Sequence, residues 1–127
     1  MATRTGAGWQ SVLMDIDLTA QYSGEDIDRT SALVNLGAEY TGVMIFVPAI
    51  DSAAVSLLVQ RNSAIATVPV GLHYKLPSDA STALWATTAG TGGCMIHCPC
   101  LGGIQYFRIY TGTNQTADRT FYVKGTV

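Results

Sequence analysis

The sequence predicts an all-β chain: a single antiparallel β-sandwich or jelly-roll-like barrel with little helix. Three observations predict it. Short runs rich in Val, Ile, Phe and Tyr recur with turn residues between them. Several of those runs alternate apolar and polar residues with period two. No segment carries a helical stripe with caps at both ends; Ser78 or Asp79 in "SDASTALW" would start only a short helix. The 127 residues fit one domain, 1–127, with 1–10 as an extended arm.

Taken in order, "SVLMDIDL" (11–18) places Val12, Met14, Ile16 and Leu18 on one face and Ser11, Asp15 and Asp17 on the other, with Leu13 out of pattern. "QYSGEDIDRT" is a polar loop, and "SALVNLGAEY" reads equally as strand or irregular chain. "TGVMIFVP" (41–48) is apolar on both faces, Val43, Ile45 and Val47 against Met44 and Phe46, as in a strand covered on both sides. "PAIDS" reads as a turn. "AAVSLLVQRN" (53–62) then sets Val55, Leu57 and Val59 opposite Ser56, Leu58 and Gln60. "VPVGLHYKLPSDAS", with two prolines, suits an edge or a loop. "TALWATT" and the glycine-rich "AGTGG" follow. "GIQYFRIYTG" (103–112) divides into Gln105, Phe107 and Ile109 on one face and Tyr106, Arg108 and Tyr110 on the other. With "RTFYVKG" (119–125) it is expected to form a terminal hairpin across "TGTNQTAD".

Composition narrows the function. Apolar residues make up 48% of the chain and charged residues 13%, with two lysines, Lys75 and Lys124. An ordinary soluble domain carries about 25% charged residues. A small domain has much surface for its volume, so this shortage implies surface buried against other subunits. The longest apolar run, "GVMIFVPAI", is about half of the roughly 20 residues a spanning helix needs, so no membrane partner is expected. "MATRTGAGWQ" has no apolar stretch of the kind a signal peptide carries. The net charge of −2 and the lack of any Lys/Arg cluster argue against nucleic acid. Three cysteines in one segment make a poor disulfide framework and suit a reducing site of synthesis.

That segment, "GGCMIHCPCLGG" (92–103), holds the candidate chemistry. Cys94, His97, Cys98 and Cys100 are soft ligands of the kind that bind zinc. Strand geometry resists the idea. Residues two apart lie roughly 6.6 Å apart along a strand, and ligands on one zinc ion must converge more tightly. Cys94, Ile96, Cys98 and Cys100 would share one face and His97 would point the other way. Pro99 could bend the segment and bring the four together. The alternative is a strand of small, buried thiols, and no cofactor is expected. A thiol nucleophile with His73 and Asp79 lacks any supporting motif, and no catalytic residues are expected. Asp15, Asp17, Glu25, Asp26 and Asp28 are oxygen ligands of the kind calcium takes, but their spacing does not match an EF-hand: the glycine of its sixth loop position would fall at Ala20. "NQT" (114–116) matches a glycosylation acceptor and reads as turn chemistry. "GTGG" (90–93) lacks the lysine and helix of a phosphate loop and suits a bend or a close backbone approach. Tyr106, Arg108 and Tyr110, joined by Tyr122, form an interface candidate with Met44 and Phe46, because Tyr and Arg are enriched where proteins meet.

The stretch "IQYFRIYTGTNQTADRTFYVKGTV", with its "FRI" strand, "TGTNQTADRT" connection and closing "FYVKG" strand, resembles small β-sandwich virion proteins of tailed bacteriophages. "TGVMIFVPAIDSAAVSLLVQ" looks like the same kind of protein, so the likeness covers the last two-thirds of the chain. The resemblance implies a structural virion protein assembled in the host cytoplasm: a capsid decoration or cement protein that binds the major capsid protein and forms a homo-oligomer, a trimer first. A head–tail connector, tail or fibre-adaptor protein would look similar. The resemblance carries no active site, and the cysteine segment departs from it. A carbohydrate-binding β-sandwich module, stacking sugars on Trp9, Trp85 and the tyrosines, is the alternative from another class.

Overall fold

The computed structural model describes residues 8–74, 83–84, 86–98, 101 and 103–127. The strands are β1 (Gln10–Met14), β2 (Val34–Tyr40), β3 (Gly42–Gln60), β4 (Val70–Gly71), β5 (His73–Tyr74), β6 (Ala83–Leu84), β7 (Ala86–Cys98), β8 (Ile104–Thr111) and β9 (Arg119–Thr126). All pairings are antiparallel. The fold is all-β, a nearly closed, barrel-like sheet, as the alternation predicts. Among the described residues there is no helix, hence none able to cross a membrane. The helix start at Ser78 or Asp79 lies outside the described residues, as do residues 1–7 of the expected arm; β1 already begins at Gln10.

One strand organises the rest. β3 runs for 19 residues. Val43 pairs with Cys98 of β7 on one side and Gly125 of β9 on the other; Val55 pairs with Thr87 of β7 and Thr111 of β8. β7 therefore follows β3 along one edge, while β9 and then β8 share its other edge. The register slips between Ala49 and Ala54, where β3 bends. The bend divides the sheet into two half-sheets that face each other. The first holds β1, β9 and the start of β3; the second holds the end of β3, β8 and β2. At the far edge the halves meet again, where Ala32 N donates to Leu13 O at 2.9 Å and Gln10 Nε2 to Asn35 O at 3.2 Å.

The core lies between them. Val12, Met14, Val43, Ile45, Val47, Phe121 and Val123 from the first half meet Val34, Leu36, Val55, Leu57, Phe107 and Ile109 from the second. Val12 and Met14, Val43, Ile45 and Val47, Val55 and Leu57, and Phe107 and Ile109 are period-two faces read from the sequence; Val34, Leu36, Phe121 and Val123 join them in the structure.

Three local expectations change. "PAIDS" is no turn between two strands: it is the bulged bend inside β3. Its clasp is the β8–β9 connection. Buried Gln115 accepts from Asp51 N at 2.8 Å and donates to Asp51 O at 3.2 Å, and Arg119 pairs with Asp51 at 3.3 Å. Within "NQT", Gln115 makes this clasp, Thr116 N donates to Asp51 Oδ2 at 2.8 Å, and Asn114 Oδ1 accepts from Arg29 Nε at 2.6 Å. Second, β8 and β9 make no hairpin; each pairs with β3, one beyond the other. Third, β1 stops at Met14, because Asp15 turns the chain: its Oδ1 accepts from Asp17 N at 2.9 Å and its carbonyl from Leu18 N at 3.2 Å. The undecided segment 31–40 contains β2, and Val70–Gly71 pairs along the β3 edge.

Candidate functional site

The two half-sheets treat their outer faces differently. On the second half, Ser56, Leu58 and Gln60 of β3 stand opposite Tyr110, Arg108 and Tyr106 of β8. The sequence predicts an exposed interface strip there. The structure instead covers it with two loops, and Arg108 is fully buried. Its guanidinium donates through Nη1 to Gln21 Oε1 at 2.8 Å and Ser31 O at 3.3 Å, and through Nη2 to Ile65 O at 3.1 Å. It also lies 5.0 Å from the centre of the Tyr22 ring. Desolvation lowers its pKa and the nearby Glu25 raises it. Gln60 holds the second loop by donating to Asn62 O and Ala64 O, both at 2.9 Å. Tyr106 and Tyr110 are half-buried beside this covered strip, and Tyr110 donates to Asp26 Oδ2 at 3.3 Å.

Among the described residues, none covers the outer face of the first half-sheet. One row across it is Ser11, Tyr122, Phe46 and Met95; beside it Lys124, Met44 and His97 form the next. Trp9 stands one residue before Gln10, the partner of Val123, and the Lys124 Nζ lies 5.8 Å from its ring centre. Phe46 and Tyr122 rings lie 6.1 Å apart at 59°. Trp9, Leu13, Phe46, Met95 and Tyr122 are all exposed, between 37% and 49%. The expectation that residues 41–48 are covered on both sides is thus met on one side only: Val43, Ile45 and Val47 are buried while Phe46 faces solvent. The six interface candidates fall in two places. Met44, Phe46 and Tyr122 share the bare face; Tyr106, Arg108 and Tyr110 do not join them. Trp9 and Met95 belong with the first three. The signal for Met95 was its register against Phe46, which no single strand reveals.

Compared with protein-family models, curated proteins and solved structures, the chain matches none at a significant level.

The cysteine segment follows strand parity. Cys94, Ile96 and Cys98 pair with Val47, Ile45 and Val43 on the core side, and His97 is exposed beside Met44. Cys94 and Cys98 are free thiols. Cys100 and Pro99 lie outside the described residues, as do Trp85, Asp79 and the His73 side chain of the other readings. Among the described members, His97 and the two thiols occupy opposite faces, so they do not converge on one ion. The glycines of "GTGG" lie inside β7, where Gly92 passes against the β3 bend.

Burial pushes the Cys98 thiol from 9.0 up to about 12. The folded state thus holds this proton more tightly than the unfolded state, and its contribution to stability falls as pH rises from 9.0 towards about 12. In variants keeping one cysteine at a time, a thiol reagent at neutral pH is expected to modify Cys98 only as fast as the protein unfolds, and half-buried Cys94 faster. Equal rates for the two in the folded state would contradict the placement.

The acidic candidates separate too. Asp15, Asp17 and Asp118 gather at the end of the β1–β9 pair, with carboxylate oxygens within 4.8 Å of one another. Asp118 Oδ1 accepts from Ile16 N at 3.1 Å, and Asp15 Oδ1 is taken by Asp17 N. These carboxylates are oxygen ligands of the type calcium takes, but two of them already cap backbone donors. Glu25, Asp26 and Asp28 line a separate shallow groove with Asn114.

Proposed function

We propose that the chain is a structural protein that acts by protein–protein contact, as an accessory component of a virus particle, first of all a capsid decoration protein. One observation carries the reading: the chain spends two loops and a buried arginine covering one outer sheet face and leaves the other apolar and aromatic. Contiguous exposed apolar surface marks a place where another protein sits. The shortage of charge points the same way. Such a protein adds contact area across joints between capsid subunits and needs no catalytic group.

The reading makes two expectations. The genes flanking its own encode capsid, portal or terminase proteins, and shells assembled from that capsid protein carry the purified chain into the pellet on sedimentation. A chain that stays in the supernatant at saturating shell would overturn the reading. A head–tail or tail location would show instead as binding to purified connectors or tails and not to shells. The aromatic cluster of Trp9, Phe46 and Tyr122 also has the makeup of a sugar-stacking platform; specific binding on a glycan array would favour that function over assembly.

A further inference from the structure

The bare face has a direction. Its apolar band ends at one side in the acidic group of Asp15, Asp17 and Asp118 and at the other in the row that carries Lys124 and His97. Asp118 and Lys124 are six residues apart on the same strand line, roughly 20 Å at the rise of an extended chain. Between them lie Leu13, Tyr122, Phe46 and Met95. We propose that the occupant of this face is a second copy of the same chain, packed face to face about a two-fold axis that lies in the interface and crosses the strands. That operation reverses the strand direction of the partner. It therefore sets the acidic end of each copy over the lysine end of the other, with the two apolar bands stacked between. A two-fold axis along the strands would instead oppose acid to acid. Isologous pairing of this kind needs a self-complementary surface, and opposite charges at the two ends of one apolar strip supply it. Aligned sheets pack at about 10 Å, close enough for the rim charges to meet through their side chains.

The proposal rests on the reading that the chain works in assembly, and it names the partner of that face. The face is about 19 Å across four strands and about 20 Å long, so its projected area is about 400 Å². Standard interfaces bury about 800 Å² per partner. The dimer is accordingly a dissociating one, of micromolar affinity or weaker, and its rim charges make it sensitive to salt.

Sedimentation equilibrium of the full chain, in EDTA to keep divalent cations off the carboxylates, tests it. The wild type is expected to show a monomer–dimer equilibrium. Lys124→Glu is expected to weaken self-association at least tenfold, since it places like charges at both ends of the interface, and Asp17→Lys, which cuts the acidic group from three negative charges to a net one, is expected to weaken it less. Asp17 is chosen because no backbone donor depends on its carboxylate among the hydrogen bonds described for that turn. Mixing the two variants is expected to give a heterodimer tighter than the Lys124→Glu homodimer, because one rim contact then joins the intact acidic group of one copy to Lys124 of the other. Thermal melting of each variant confirms that it folds. A wild type that stays monomeric at several hundred micromolar, a trimer, or a Lys124→Glu variant that associates as tightly as the wild type would overturn the proposal. Shell sedimentation of the same samples separates the two ideas: dimers that ignore shells overturn the virion role and keep the face, and shell-bound monomers do the reverse.

Discussion

Gly92→Ala is expected to leave little folded protein. Gly92 lies in β7 where that strand crosses the bend of β3. A Cβ there would fall 1.7 Å from the carbonyl oxygen of Pro48 and 2.8 Å from its carbon. Both are backbone atoms of β3 held between its Val47–Cys94 and Ala49–Gly92 pairings with β7, so the close approach cannot be relieved without breaking that pairing. Its φ of +83° adds the left-handed cost that any L side chain meets. Gly93 makes the comparison clean. It has a φ of +69° and open space where its Cβ would go. Gly93→Ala is expected to cost only the conformational part, about 1–2 kcal/mol. Gly92→Ala is expected to cost more than about 4 kcal/mol, a large share of a small domain's stability. Soluble yield and the urea midpoint read both. Similar midpoints for the two variants would show that the close passage at Pro48 does not exist.

Arg108→Ala is expected to be nearly as damaging, for a different reason. The guanidinium is the only described group that joins β8 to both covering loops, through Gln21 and Ser31 on one and Ile65 on the other. Truncation leaves those acceptors without their donor under a buried surface and opens a cavity. A loss of about 3–5 kcal/mol is expected. Arg108→Met keeps most of the volume and is expected to lose less, since an apolar chain of similar length removes the buried charge along with its bonds. Arg108→Lys has one ammonium to serve two loops and is expected to fall between. Amide hydrogen exchange in Arg108→Met should rise first in residues 20–31 and 61–67, while β3, β7 and β9 stay protected. Unchanged exchange in both loops would mean that the arginine does not hold them.

The inward faces were legible because they depend only on period two. Val43, Ile45 and Val47, then Val55, Leu57 and Val59, and Phe107 with Ile109, all point where alternation puts them. The same parity rule separated Cys94 and Cys98 from His97. What alternation does not contain is which strand lies beside which. The hairpin expected from "RIYTGTNQTADRTFYV" failed because Gln115 and Arg119 bind Asp51, 64 and 68 residues earlier in the chain. "PAIDS" looked like a turn because proline and aspartate favour turns, yet here a bulge absorbs them and the strand continues. Arg108 alternates with two tyrosines and so looked solvent-facing. Its burial depends on loops whose polar sequence says nothing about where they lie. The bare face was half visible, through Met44, Phe46 and Tyr122; Trp9 and Met95 join it only once β1, β9, β3 and β7 are set side by side.

The long bent strand has a further consequence. Barrels and sandwiches assembled from separate sheets have a seam, a surface along which one layer can loosen while the other persists. This molecule has none on its β3 side, because β3 and β7 pass uncut from one layer into the other. Cleavage at the bend would not release a stable half: each layer would lose the continuity of the two strands on which its other members are hung. Stability here is held in common between the two layers, through the strands that pass from one into the other.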